Sequence, residues 1–208
     1  MYIRNLRKPS PNKNIYKFAS RKNKKTVMCE GSLEKDCCYH FEYDSEVVNF
    51  EAQPIGYYYE YHGKQLPYTP DFLVQYSDGS YQYVEIKPLG KTLSKDFKQK
   101  FEARQLAAKR LGFDVILVTS KQIRNGHFLA NSMLVHRYSG CITGDGLSNV
   151  IYEHLLVLNS LKISELASTV GLSIGKVFAA VLRLVAQSKA WIDLDSAKLD
   201  ETTLVVVQ

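Results

Sequence analysis

The chain has 208 residues, a length that suits one ordinary domain with a small appendage. With 45% hydrophobic and 23% charged residues it has a globular balance, which excludes a disordered or fibrous protein, and no apolar run is long enough to span a bilayer. The net charge of +6 is unevenly laid out: residues 1–25 carry +9, residues 26–86 carry −9, residues 87–127 carry +7 and residues 148–208 carry −1. Basic stretches either side of an acidic one suit a polyanion held by the former while cations gather at the latter. The N-terminus has no apolar core of a secretory signal, so a soluble cytoplasmic protein is expected, nucleoid-associated when active. Cys29, Cys37, Cys38 and Cys141 form no C-x-x-C pair and are expected to be free buried thiols. The histidines lack zinc-site spacing.

In chain order, residues 1–27 read as a flexible basic arm, rich in Asn, Lys and Pro and without apolar periodicity. Ser32 is an acceptable N-cap for a helix ending near Asp44, with Leu33, Cys37 and Phe41 near one face. From Val47 to Lys87, alternation, aromatics and turn residues predict a run of antiparallel strands, with turns at Gly63 and at Ser77-Asp78-Gly79-Ser80. Ser94 to Leu111 reads as a second helix, its buried stripe formed by Phe97, Phe101, Leu106 (or Ala107, Ala108) and Leu111, with Gly112 ending it. Asp114 to Thr119 then reads as a buried strand of the parallel kind, reached by the helical crossover. These elements make an α/β domain over residues 28–139. The Gly-rich residues 140–148 are expected to be a linker. Over residues 149–208, helices at Val150–Leu161, Ile163–Val170 and Ile174–Ser188 precede a hairpin of Trp191–Leu194 and Thr203–Val207, the pattern of an all-α/winged-helix domain.

The sharpest local feature is Thr69-Pro70-Asp71-Phe72 followed by Val84-Glu85-Ile86-Lys87. Glu85 and Lys87 are two apart on a strand and leave the same face. Charged side chains converging where strands end have a reason if they hold a hydrated divalent cation, since Mg²⁺ prefers carboxylate and carbonyl oxygens. Asp71, Glu85 and the Ile86 carbonyl would ligate it, and Lys87 would orient the attacking water or neutralise charge on a phosphate. One difficulty is geometric. A two-residue turn at Asp78-Gly79 would place Asp71 opposite Ile86 and aim it away from Glu85 and Lys87. A bulge or a loop of odd length is therefore predicted between Asp71 and Ser80.

At this spacing the residues resemble the PD-(D/E)xK nuclease superfamily, whose restriction-endonuclease-like fold is a mixed sheet flanked by helices. The resemblance implies an acid on the first helix as well. Glu30, Glu34 and Glu42 are candidates, and Glu34 is favoured by its place at the helix start. Ser32-Leu33-Glu34-Lys35-Asp36, Phe41-Glu42-Tyr43-Asp44, Val47 to Pro54 and Tyr68-Thr69-Pro70-Asp71-Phe72 together look like the TnsA family, endonuclease subunits of heteromeric transposases that join this nuclease fold to a winged helix. The resemblance implies a Mg²⁺-dependent DNA endonuclease, with Mn²⁺ able to substitute, that cuts the 5′ strands at transposon ends. A TnsB-type DDE transposase would act on the 3′ ends, and a TnsC-type AAA+ ATPase would contact the C-terminal domain. Glu34, Asp71, Glu85 and Lys87 are then the catalytic set, and Glu34, Asp71, Glu85 and Ile86 the metal ligands.

The basic helix that follows would hold phosphates, Lys91, Lys95 and Arg104 being the positions assigned to DNA. The C-terminal domain is acidic in its wing (Asp193, Asp195, Asp200, Glu201), which favours protein contact over DNA recognition. The competing readings are a non-catalytic DNA-binding adaptor with a nuclease-like core, and a restriction or repair nuclease of the same superfamily. An intact Asp71, Glu85 and Lys87 oppose the first, and the C-terminal domain opposes the second.

Overall fold

The computed structural model describes residues 14–140 and 146–208. The chain divides into two compact units, one up to Arg124 and the other from Asn125.

The first unit begins with a hairpin of β1 (Tyr16–Ser20) and β2 (Lys25–Cys29), followed by α1 (Ser32–Tyr43). Residues 16–27 are therefore ordered strand and turn rather than a flexible arm, while the arm's residues 1–13 lie outside the described residues. The lysines conceal an alternation: Phe18, Val27 and Cys29 point inward and are buried. Phe18 meets Tyr39 of α1 edge-on, ring centroids 4.9 Å apart. Glu42 fastens the hairpin's turn, its Oε2 accepting from Ser20 Oγ at 2.6 Å and its Oε1 from the amides of Arg21 and Lys22.

Then come β3 (Val47–Ala52), the hairpin β4 (Tyr57–Tyr61) and β5 (Lys64–Tyr68), and β6 (Phe72–Tyr76) and β7 (Tyr81–Lys87). A short 3₁₀ turn (Leu89–Thr92) leads to α2 (Lys95–Arg110), β8 (Asp114–Thr119) and α3 (Ser120–Ile123). The main sheet has the order β3-β6-β7-β8, antiparallel except for the parallel pair β7–β8 that the α2 crossover requires. β8 is an edge strand and only Val115 is buried along it, so it is not the fully buried strand expected. β4 and β5 stand apart as a two-stranded sheet, because the chain breaks at Thr69-Pro70-Asp71 instead of running on from Lys64 to Tyr76. A side-chain amide takes up outer backbone groups at one residue of each edge: Asn23 bonds the Phe50 carbonyl and amide, and Gln105 Nε2 donates to the Val115 carbonyl at 2.8 Å.

Strand alternation sorts the two faces. Phe50, Phe72, Val74, Val84 and Ile86 line one face, where Phe41 of α1 sits 5.2 Å from the Phe72 ring and 5.3 Å from Phe50. Tyr83 and Val115 face the other way, into a cluster with Tyr57, Tyr59, Tyr68 and Ala108 that joins the β4–β5 hairpin to α2. On α2 the inner stripe is Phe97, Phe101, Arg104 and Ala108, so the expected stripe holds through Ala108, while Leu106 and Leu111 are 58% and 57% exposed. Arg124, at the end of α3, grips buried Asp36 of α1 through Nε at 2.9 Å and Nη2 at 2.6 Å, tying the two helices together.

Between β6 and β7 the pairing runs Phe72 with Val84 through Gln75 with Tyr81, and Tyr76 N donates to Ser80 O at 2.9 Å. The loop is thus the three residues Ser77-Asp78-Gly79, an odd number as expected. Gly79 N returns to Tyr76 O at 3.0 Å and Gly79 takes φ +85°, the left-handed third position of such loops.

The second unit contains α4 (Phe128–Arg137), α5 (Gly146–Leu158), β9 (Ser160–Lys162), α6 (Ile163–Val170), α7 (Ile174–Ala186), β10 (Ala190–Trp191) and β11 (Leu204–Val207). Its sheet is antiparallel in the order β10-β11-β9, so β11 pairs with a strand between two helices as well as with its hairpin partner. Ile151, Leu155, Ile163, Leu166, Val177, Val181 and Leu184 form the core. Asn131 of α4 donates to the carbonyls of Leu194 and Ala197 and accepts from Leu199 N, pinning the long β10–β11 loop. Residues 125–139, expected to close the first domain, accordingly pack within the second unit. Of the expected linker, residues 141–145 lie outside the described residues, and α5 begins at Gly146. Among the described residues no single helix is long and apolar enough to cross a membrane.

An added Cβ at Gly79 meets nothing within 4 Å, so its substitution is opposed by backbone conformation alone. Gly79→Ala is expected to destabilise the protein by about 1 kcal/mol in urea denaturation, and Gly79→Asn by less. An unchanged midpoint for Gly79→Ala would show that this position is not held left-handed.

Candidate active site

Because the β6–β7 loop is odd, one step beyond the Phe72–Val84 pair places Asp71 opposite Glu85. Lys87, two residues on, shares that face. Asp71 and Glu85 are 8% and 2% exposed, so both carboxyls need partners. Asp71 Oδ2 accepts from Ile86 N at 2.7 Å and from Lys87 Nζ at 3.3 Å. Lys87 Nζ also lies 2.8 Å from Glu85 Oε1 and 3.0 Å from the Ile86 carbonyl. Three hard oxygens from Asp71, Glu85 and Ile86 therefore converge on one cationic nitrogen, the donor chemistry that a hard divalent cation takes.

Glu85 has two further partners that sequence reasoning missed or placed elsewhere. Tyr68 OH donates to its Oε2 at 2.6 Å, and Arg104 Nη1 approaches its Oε1 at 3.3 Å. The guanidinium stacks over the Tyr68 ring, 4.3 Å from its centroid, and lies 5.3 Å from the Tyr59 centroid. Arg104 is therefore turned inward rather than offered to DNA. Its position was legible, since Phe97, Phe101, Arg104 and Ala108 have the spacing of one helical face and an arginine on an apolar stripe needs a buried acid. Tyr68 carried only the weaker signal of preceding Asp71 by three residues. Where Tyr68 leaves its strand, Gly56 passes so close that an added Cβ would fall 2.4 Å from the Tyr68 carbonyl oxygen.

The three candidate acids of the first helix separate cleanly. Glu42 is spent on the β1–β2 turn. Glu30 precedes α1, and its amide donates to Glu34 Oε2 at 2.8 Å. Glu34, in the helix's first turn, lies near enough to feel Asp71 and Lys87. Burial, reinforced by the Asp71 charge, pushes its pKa up to about 7. Burial and the facing Glu85 push Asp71 up to about 6 against the pull of Lys87 and the Ile86 amide. Burial would lower Lys87, but Asp71 and Glu85 outweigh it and raise its pKa. Burial and the Glu85 charge hold the Tyr68 phenol well above its usual value. Among the described residues no three His, Cys, Asp or Glu side chains stand close enough to hold an ion between them, so the convergent set is two carboxylates and a carbonyl, with Glu34 apart from it. Lys91 lies in the 3₁₀ turn and Lys95 opens α2, both exposed just beyond the Glu85–Lys87 strand.

A mixed sheet with helices on both faces, carrying two acids and a lysine at adjoining strand ends, is consistent with a nuclease-like α/β fold. Residues 44–120 match the model of the TnsA-like endonuclease N-terminal domain. The match suggests a transposase nuclease subunit. The matched segment contains Asp71, Glu85, Ile86 and Lys87, whereas Glu34 precedes it. No curated protein matches the chain.

The raised carboxyl pKa values carry a sign. Glu34 binds its proton more tightly folded than unfolded, so its contribution to stability is complete below its ordinary value of 4.5 and is lost as pH rises through about 7. In urea denaturation with EDTA, wild type is expected to lose about 1–3 kcal/mol more than Glu34→Gln between about pH 5 and about pH 8. Parallel stability curves for the two proteins would show that Glu34 titrates as an ordinary surface acid.

Proposed function

We propose that this protein is a Mg²⁺-dependent DNA endonuclease that cuts the 5′ strands at transposon ends during cut-and-paste transposition. The observation that carries this reading is the meeting of Asp71 Oδ2, Glu85 Oε1 and the Ile86 carbonyl around one cation, inside a segment that matches the TnsA-like family. These three groups would hold the metal; Glu34, which stands apart from them in this structure, would have to move closer to add a ligand from α1. When bound, Mg²⁺ supplies a water acidic enough to attack a phosphodiester near neutral pH and stabilises the leaving alkoxide. Lys87 sits among the three oxygens and exchanges that place for the scissile phosphate, where its ammonium orients the attacking water and neutralises charge. Lys91 and Lys95 hold the DNA backbone beyond the site, without reading sequence.

The second unit supports the partner part of the proposal. α5, α6 and α7 with the strands β9, β10 and β11 have the order of a winged helix. Asp193 and Asp200 fold the loop of the wing, each accepting the amide two residues ahead at 2.8 Å. With Asp195 and Glu201 they give the wing an acidic rim that repels phosphate. This surface suits a protein, and in the TnsA family setting the partners are a TnsC-type AAA+ ATPase at the C-terminal unit and a TnsB-type DDE transposase acting on the opposite strand.

Calorimetric titration of Mn²⁺ into the protein with a short duplex tests the site independently of partners. Wild type is expected to bind saturably, and Asp71→Ala to bind at least ~100-fold more weakly. Equal binding by both would remove Asp71 from any metal site and favour a DNA-binding adaptor. With the two partners and transposon-end DNA present, Lys87→Ala is expected to retain Mn²⁺ binding while 5′-strand cleavage falls by ~100-fold or more. Cleavage at the wild-type rate would refute the role given to Lys87.

A further inference from the structure

We infer that Arg104 and Tyr68 are positioning residues that fix the Glu85 carboxylate for metal binding, and that Arg104 is not a DNA contact. The inference rests on the nuclease reading and deepens it. Both oxygens of Glu85 are held from the protein side: Oε2 by the Tyr68 hydroxyl at 2.6 Å and Oε1 by Arg104 Nη1 at 3.3 Å. Lys87 also reaches Oε1, at 2.8 Å, but belongs to the reacting side of the site and leaves when substrate arrives. Arg104 and Tyr68 then remain as the groups that stop the carboxylate from turning.

The construction around them leaves no comparable role in DNA binding. The Arg104 side chain is 19% exposed, with one face of its guanidinium over Tyr68 and a second ring, Tyr59, close by. Its main chain is held by the same hairpin, since Tyr57 OH donates to the Arg104 carbonyl at 3.0 Å. A phosphate contact would require the guanidinium to leave two tyrosines and a buried carboxylate together. Partners that orient a ligating carboxylate are worth about 10–100-fold in metal affinity or activity, because they remove the need to reorganise the ligand.

The experiment uses the full chain with a short duplex. Tyr68→Phe keeps the ring and removes only the hydroxyl; Arg104→Gln keeps a donor and removes the charge. Thermal melting confirms folding, and Tyr68→Phe alone carries the test if Arg104→Gln unfolds. Mn²⁺ affinity is read by calorimetry, and DNA affinity is read separately in EDTA over a range of salt. Both variants are expected to bind Mn²⁺ about 10-fold or more weakly while DNA affinity and its salt dependence stay at wild-type values. Wild-type Mn²⁺ affinity in the variants would overturn the inference. So would a fall of about one in the salt slope of Arg104→Gln, the mark of a lost phosphate contact. Failure of the wild type itself to bind Mn²⁺ would sink the nuclease reading and this inference with it, a result distinguishable from variants that match a metal-binding wild type.

Discussion

The arrangement at the strand ends depends on whether the loop between β6 and β7 has an odd or an even number of residues. Side chains alternate along a strand, so a change of one residue in Ser77-Asp78-Gly79 would turn every side chain of one strand to the other face. With three residues, Asp71, Glu85 and Lys87 meet on the face that α2 and the β4–β5 hairpin cover, and Phe72, Val74, Val84 and Ile86 meet on the face that α1 covers. The same count therefore serves the core and the site. A chain that solved one with the wrong parity could not have solved the other.

Charge balance then explains the second layer. Asp71 and Glu85 would repel one another in a buried site, and Lys87 alone cannot compensate both. Arg104 supplies the second cation, and the tyrosines supply what a buried guanidinium needs on its faces. The β4–β5 hairpin, standing outside the main sheet, brings Tyr57, Tyr59 and Tyr68 against Arg104. Glu34 is the acid left without a cation in this balance, and burial, reinforced by the Asp71 charge, raises its pKa.

Much of this was legible in the sequence because it rests on local spacing. Glu85-Ile86-Lys87 fixes two groups on one face by alternation, and the conflict between a two-residue turn and Asp71 required an odd loop. What was misread depended on contacts distant in sequence. The alternation of Phe18, Val27 and Cys29 is diluted by lysines, and only the acceptor at Glu42, some twenty residues away, shows why the hairpin closes. The stripe on α2 was drawn through Leu106, or Ala107 and Ala108, and Leu111; Ala108 is buried, Leu106 and Leu111 are exposed, and the stripe also takes in Arg104. The boundary between the two units was placed too far along the chain because Asn131, a polar residue in an unremarked helix, ties residues 128–137 to carbonyls more than sixty residues onward.

Asn23 carries a different kind of consequence. Its side-chain amide gives the Phe50 carbonyl a donor at 2.6 Å and the Phe50 amide an acceptor at 3.2 Å, the two bonds that a neighbouring strand would otherwise make. Gln105 covers a carbonyl on the opposite edge in the same manner. A four-stranded sheet with bare margins is a template for another chain's backbone. Here one position on each margin is taken by a side chain that mimics a peptide group but cannot propagate, which interrupts the ladder a neighbouring strand would need at Phe50 and at Val115.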